Sequence, residues 1–360
     1  MTTVLTNLQT EIKKLVSKKD LSSGEITDAL DAILAAAVPD TAVAAFLVAL
    51  AMKGETAEEL RSVLLSLRKR ATRITPKVRG SLIDTCGTGG DSKKSFNIST
   101  AAAIVAAAAS AKVAKHGNRS ASSLCGSADF LEYIGLDLNT PPTKVQSCIE
   151  NVGIGFLFAP LFHPSMKSVA TIRKTIGIRT VFNKIGPLSN PCTNLSGQVV
   201  GVFEPQLLQV FSEVCSGYVG EAIIVYAQDG FDELSTTCQN DIYWVSSENN
   251  TTRRIRLHPN ALGMEVAKSE QLVVVSKIDS INSTLQTIYG KGSKEKMDIV
   301  VLNAAAALVV SKISPNLKEG VEYARDAIKS GKARDKLWQL IKYCGDLEKL
   351  KEAEKRFSLL

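Results

Sequence analysis

Ser81-Leu82-Ile83-Asp84-Thr85-Cys86-Gly87-Thr88-Gly89-Gly90-Asp91, running on through Asn97-Ile98-Ser99-Thr100 into an alanine-rich stretch that ends at Ser110, decides the fold class. The short apolar run Ser81–Thr85 predicts a strand, and Thr100–Ser110 predicts a helix. A second strand is expected at Lys112–Lys115, with further ones at Gly155–Phe158 and Ala222–Ala227. Strands separated by helices argue for an α/β domain with a central, mostly parallel sheet flanked by helices. In such sheets ligands bind on the loops beyond the carboxyl ends of the strands.

Before this region the pattern is helical. Leu5, Leu8, Ile12, Leu15 and Val16 recur at helical spacing, as do Ile26, Leu30, Ile33 and Leu34. A third helix carries Val43, Phe46, Leu47 and Leu50, and Gly54 is placed to end it. A fourth begins at Thr56, where Glu59 completes a capping box. Residues 1–73 thus read as a packing or dimerisation module without chemistry of its own.

The 360 residues are enough for one large or two smaller domains. The apolar share of 45% and charged share of 22% are those of a globular chain. A net charge of +7 reads most plainly as a solvated surface, or more sharply as cations facing an anionic ligand. The basic residues are scattered rather than interleaved with aromatics, so nucleic acid is not the expected partner. Seven dispersed cysteines without a CxxC pair build neither a disulfide framework nor a zinc site. A reducing, cytoplasmic setting is expected, with no secretory signal and no membrane span.

Four loops carry the candidate chemistry. Three glycines among Gly87-Thr88-Gly89-Gly90 let backbone amides approach an anion, although a tight turn would use the same residues. Ser99 or Thr100 can cap the following helix, whose N-terminus favours phosphate. The absence of GxxxxGK[ST] excludes an ordinary triphosphate loop. In Lys115-His116-Gly117-Asn118-Arg119-Ser120 a lysine point charge stands near a planar arginine fork. His116 suits either a base or a structural ring. Ser122, Ser123, Ser127 and Asp129 add hydroxyls, amides and a helix cap. Asp229-Gly230-Phe231-Asp232-Glu233 offers adjacent carboxylates, suited to magnesium or to a solvated turn. His163-Pro164 precedes Arg173 in a helix-like stretch that runs to Arg179, where the arginine either clamps a carboxylate or faces solvent.

Taken together, DTCGTGGDSKKSFNIST (84–100), KHGNRSASSLCGSADFLEYIG (115–135), HPSMKSVATIRKTIGIRTVFNKIGPLSNP (163–191) and DGFDELS (229–235) resemble the anthranilate phosphoribosyltransferase family. Looser similarity continues through Leu257-His258-Pro259 and Asn303-Ala304-Ala305, so the resemblance spans essentially the whole chain. It implies transfer of phosphoribose from phosphoribosyl pyrophosphate (PRPP) to the amino group of anthranilate, the second step of tryptophan biosynthesis from chorismate.

By the same resemblance PRPP meets Gly87, Gly90, Asp91, Ser95, Asn97, Ile98, Ser99 and Thr100. Lys115, Gly117, Asn118, Arg119, Ser120, Ser122, Ser123 and Ser127 complete that site. Magnesium falls to Ser99, Asp232 and Glu233. Anthranilate falls to Gly87, His116, Asn118, His163, Arg173, Gly186 and Pro187. No residue is a dedicated acid or base, and Lys115 acts electrostatically. The implied fold is of the nucleoside phosphorylase/phosphoribosyltransferase type. A small all-α domain, 1–73 plus about 165–190, forms a homodimer, and a large α/β domain comprises 74–164 and 191–360. Ser92, Phe162, Lys184 and Cys125 depart from the usual family pattern. Two alternatives share the fold: a pyrimidine nucleoside phosphorylase and a non-enzymatic nucleic-acid-binding relative.

Overall fold

A computed structural model describes residues 2–89, 94–120 and 123–359, with Thr2 and Thr3 as backbone only. The chain divides into two compact units, Met1–Arg73 with Pro160–Pro191 and Ile74–Ala159 with Cys192–Leu360.

The first unit is helical. It opens with α1 (Thr2–Val16), α2 (Ser23–Leu34), α3 (Asp40–Lys53) and α4 (Ala57–Arg70). Gly54 closes α3 at φ +86°, a conformation that glycine adopts without a Cβ clash. The Thr56–Glu59 capping box forms as expected, with the Glu59 amide donating to Thr56 Oγ1 at 3.2 Å. Glu59 is fully buried and also accepts from the Leu21 amide and Lys53 Nζ, so its carboxylate is satisfied on both oxygens. The chain returns in the helix Lys167–Ile176 and the short helix Val181–Ile185. The first of these stops at Ile176 rather than continuing to Arg179, because Gly177 turns left-handed at φ +69°.

The second unit is a seven-stranded sheet with helices. Its strands are β1 (Leu82–Gly87), β2 (Lys112–Gly117), β3 (Ile154–Phe158), β4 (Gly197–Gly201), β5 (Glu221–Ala227), β6 (Asn240–Ser246) and β7 (Thr251–Leu257). The order is β3-β2-β1-β4-β5-β6-β7, with the first five strands parallel, β6 antiparallel to β5 and β7 antiparallel to β6. Chain order runs outward from β1 through β2 to β3, then resumes on β1's other side at β4. This reversal is a topological switch point, where α/β sheets open a crevice at their carboxyl ends.

The helix predicted at Thr100–Ser110 spans Ile98–Ala108, so Ser99 and Thr100 lie inside it and neither is its cap. Asn97 holds the N-cap position without a side-chain cap bond; its side-chain amide donates instead to Ser280 Oγ at 3.3 Å. Alanines 101–103 and 106–107 are buried, and their small size lets the helix lie close to Lys294–Val310, itself buried through Asp298–Val310. Gly320 permits a similar approach: a Cβ there would lie 3.0 Å from the Ala305 carbonyl oxygen. Among the described residues no helix is long and apolar enough to cross a membrane. All seven cysteines are free thiols.

Candidate active site

β1 parts early from β2. Their ladder pairs Leu82 with Lys112 and Ile83 with Val113, while β2 stays paired with β3 as far as Gly117. Beyond Ile83 side chains replace the missing ladder. Buried Asp84 accepts the His116 amide at 3.1 Å, and buried Lys115 turns its Nζ to the Thr85 carbonyl. Thr85 Oγ1 in turn donates to the Ser99 carbonyl at 3.1 Å, tying β1 to the first turn of the helix Ile98–Ala108.

On the other side, β1 and β4 end on facing glycines, Gly87 and Gly201. Asp232 requires both. A Cβ on Gly87 would lie 2.7 Å from Asp232 Oδ2, and one on Gly201 only 1.5 Å from the Asp232 carbonyl oxygen. Buried Asp232 accepts the Gly89 amide at 2.6 Å and, more distantly, Thr88 Oγ1 at 3.4 Å. The Thr88 amide donates to the Gly201 carbonyl at 3.0 Å. The glycine-rich loop is therefore clasped by a carboxylate as far as Gly89, which turns at φ +64°. Gly90, Asp91 and Ser122 lie outside the described residues.

Glu233 lies apart from its neighbour's clasp. With Ser99, Thr85, Cys86 and Asn303 it lines a narrow cavity beneath the ends of β1 and β4. The loop bearing both carboxylates is held by two buried asparagines. Asn303 accepts the Leu234 amide at 3.0 Å and donates to the Leu234 carbonyl at 2.8 Å. Asn240 does the same for Ser235, at 2.7 and 2.9 Å. Each side chain imitates a strand partner, so a turn without a ladder keeps its backbone groups paired. Asp229 accepts Ser235 Oγ and Thr237 Oγ1 and thereby closes the turn, rather than joining the other two carboxylates.

Among the described residues no three His, Cys, Asp or Glu side chains gather as a metal cluster. Two carboxylates and the Ser99 hydroxyl are nevertheless hard donors of the kind magnesium takes, since it completes its shell with water and substrate phosphate oxygens. Cys86 does not compete as a soft ligand. Burial pushes its thiol up to about 12; Lys115 pulls the other way, while Asp84, Asp232 and Glu233 push further up.

The loop after β2 folds over itself. A Cβ on Gly126 would lie 2.3 Å from the Ser120 amide nitrogen, and one on Gly117 would lie 2.3 Å from Ser127 Oγ. Asp129 gathers the loop by accepting the Ser120 and Gly126 amides, each at 3.0 Å. Burial alone would raise its carboxyl, but these amides, Lys277 and Arg119 hold it below the ordinary carboxylate value. Ser127 Oγ donates to the Asn118 carbonyl, and Ser120 and Ser123 bond each other. Arg119 is differently employed from the sequence expectation. Its fork grips Glu132 with two 2.7 Å bonds and lies over the Phe158 ring. Ser95 bridges to Val273 at the foot of the Ile98–Ala108 helix.

In the helical unit, His163 is buried and its imidazole is pushed down to about 4 by burial; a Ser189 backbone bond opposes this and Arg68 reinforces it. Arg173 lies over the Phe182 ring at 5.5 Å and donates to Asn183 Oδ1 at 3.3 Å. Gly186 and Pro187 start a 3-10 turn whose Pro187 is buried. Lys184 bonds the buried Glu55 carboxylate at 2.6 Å.

Two family descriptions match the chain: a glycosyl transferase α/β domain over residues 79–334 and a glycosyl transferase helical bundle domain over 9–71. The anthranilate phosphoribosyltransferase of Acetivibrio thermocellus is 43% identical, covering 93% of this chain and 96% of its own. That of Methanococcoides burtonii is 41% identical over 92% of this chain and 93% of its own. The chain belongs to the anthranilate phosphoribosyltransferase family.

Among solved structures, the Thermus thermophilus anthranilate phosphoribosyltransferase is 36% identical, with a TM-score of 0.85 and coverage of 93% and 99%. The Saccharomyces cerevisiae enzyme, solved in complex with PRPP and Mg, is 27% identical at a TM-score of 0.85, covering 94% and 97%. The relatives favour neither the phosphorylase nor the nucleic-acid-binding alternative. As an anthranilate phosphoribosyltransferase the chain is a pentosyltransferase of tryptophan biosynthesis. Within its α/β unit the structure brings together Gly87, Ser99, Lys115 and Asp232 around the ends of β1, with Glu233 in the adjoining cavity. Sequence reasoning missed Gly201, Asn240 and the role of Asn303. A polar side chain inside the apolar run from Ile299 to Val310 was the available signal for Asn303, because it must find partners there.

Proposed function

We propose that PRPP lies at the carboxyl ends of β1, β2 and β4, that Asp232, Glu233 and Ser99 hold magnesium there, and that Arg173 takes the carboxylate of anthranilate. The observation that carries this reading is the packing of Asp232 against both switch-point glycines, which leaves a carboxylate and bare backbone where a pyrophosphate is expected. Bound magnesium neutralises charge developing on the pyrophosphate as the bond at the ribose C1 breaks.

The chain's own residues compensate and orient. Residues Asn97–Thr100 present the start of a helix, whose amides and dipole favour an anion. Lys115 adds a cation beneath β1's end, and the amides and hydroxyls of Asn118, Ser120, Ser123 and Ser127 suit a terminal phosphate. Arg119 enters this proposal through its backbone alone, its side chain being engaged by Glu132. The aromatic amine is a neutral nucleophile at neutral pH, so holding it in line behind C1 supplies the rate without a dedicated base. His116 and His163 are assigned to anthranilate, with Gly186 and Pro187. His163 does so as a neutral ring.

The homodimer belongs to the same proposal. Val16 and Met52 stand exposed on α1 and α3, and sedimentation equilibrium measures the association. The metal assignment is tested by replacing both Asp232 and Glu233 with Ala and following the loss of anthranilate fluorescence against magnesium. Turnover is expected to fall by about 100-fold or more, with a higher magnesium requirement. Normal turnover at ordinary magnesium would refute the assignment.

A further inference from the structure

Arg173 is a cation without a countercharge. Among the described residues no carboxylate lies within salt-bridge distance of it, and burial pulls its guanidinium below the ordinary arginine value. Its buried Nε has no hydrogen-bond partner there either. Two neighbours fix the guanidinium: the Phe182 ring on its face and Asn183 Oδ1 on Nη2. Asn183 is itself rigidly placed. Its Oδ1 accepts the Thr180 amide at 3.0 Å and Thr180 Oγ1 at 3.4 Å, capping the helix Val181–Ile185. The next residue, Lys184, pins that helix to Glu55.

Aspartate would cap this helix equally well, since its oxygen accepts the same amide. It would also neutralise the arginine. An amide oxygen orients the guanidinium and leaves its charge unspent, and a half-buried cation of this kind draws an anionic ligand. We infer that Asn183 is a positioning residue for the transfer, holding Arg173 through a neutral acceptor so that the guanidinium remains cationic toward the carboxylate of the aromatic acid. The inference rests on the assignment of that carboxylate to Arg173.

The test compares Asn183→Asp, Arg173→Ala and the double variant in the full-length enzyme, with KM for anthranilate, KM for PRPP, kcat and Tm measured for each. Asn183→Asp is expected to keep Tm and the KM for PRPP while raising the KM for anthranilate about 10-fold or more. Arg173→Ala should raise it similarly, and the double variant should go no higher. A residue that only caps the helix would leave Asn183→Asp like the parent. If Arg173→Ala raises the KM for anthranilate and Asn183→Asp does not, the inference fails and the clamp stands. If Arg173→Ala leaves that KM unchanged, the clamp and the inference fall together.

Discussion

The two units furnish candidate groups in opposite ways. In the α/β unit backbone makes the site: glycines 87, 117, 126 and 201 admit close crossings, and Asp84, Asp129, Asn240 and Asn303 serve main-chain amides. In the helical unit side chains make it: His163, Arg173 and the Lys184–Glu55 pair project from helices and their caps, buried or nearly so. A phosphate has many equivalent oxygens and suits a cradle of amides, whereas an aromatic acid presents one carboxylate and suits one fork. The first unit should therefore be vulnerable to added atoms, and the second to changes of charge.

The sharpest way to break this contrast is Gly201→Ala. Its methyl has no room against the Asp232 carbonyl, so β4 or the carboxylate loop must move. A loss above about 3 kcal/mol is expected, seen as a fall in Tm of roughly 6–12 °C with loss of turnover. A variant with the parent's Tm and rate would show that the crossing is slack.

The helical unit should respond to pH at nearly similar size. His163 ionises at 6.5 when unfolded and at about 4 in place. Its stabilisation is complete above 6.5 and is lost as pH falls toward 4, by up to about 3 kcal/mol. Glu11 has the opposite sign. Burial raises it to about 7, with Glu25 and Asp28 adding and Lys14 opposing, so its contribution is full below 4.5 and disappears as pH rises through 7. Urea midpoints of Glu11→Gln between pH 4 and 7 should isolate the His163 slope, and adding His163→Phe should abolish it. A slope that survives in the double variant belongs to another group.

Thr88→Val is the smallest expected effect and sharpens the first comparison. The Thr88 hydroxyl reaches Asp232 only at 3.4 Å, against 2.6 Å from the Gly89 amide. Turnover and the KM for PRPP should change no more than about fivefold, because the weaker bond is worth at most about 1 kcal/mol. A tenfold loss would make the clasp a side-chain device after all.

Much of the fold is legible in the order of residues. Ser81–Thr85, the three glycines and the alanine run announce strand, loop and helix because each differs sharply in composition from the next. β4 does not announce itself: Gly197-Gln198-Val199-Val200-Gly201 has poor strand propensity and is a strand because β1 and β5 enclose it. β7 is mostly charged or polar and exposed at the sheet edge, so no apolar rhythm marks it. In the candidate site, the glycine loop and the Asp232–Glu233 pair stand out by type and spacing. The engagement of Arg119 by Glu132, 13 positions away, does not.

The sequence by itself determined the alternation of strands and helices, the helical module before them, and the residue types able to meet phosphate, magnesium and a carboxylate. Propensity, capping and glycine's freedom act over a few neighbouring positions, so local order is enough to read them. Tertiary structure alone decided that Asp232 clasps Gly89 while Glu233 lines a cavity, that Asn303 serves Leu234, and that Arg173 meets an amide instead of an acid. Those outcomes depend on which buried polar group lies within hydrogen-bond reach of which, and residues 69 or 143 positions apart acquire that reach only when the chain has packed.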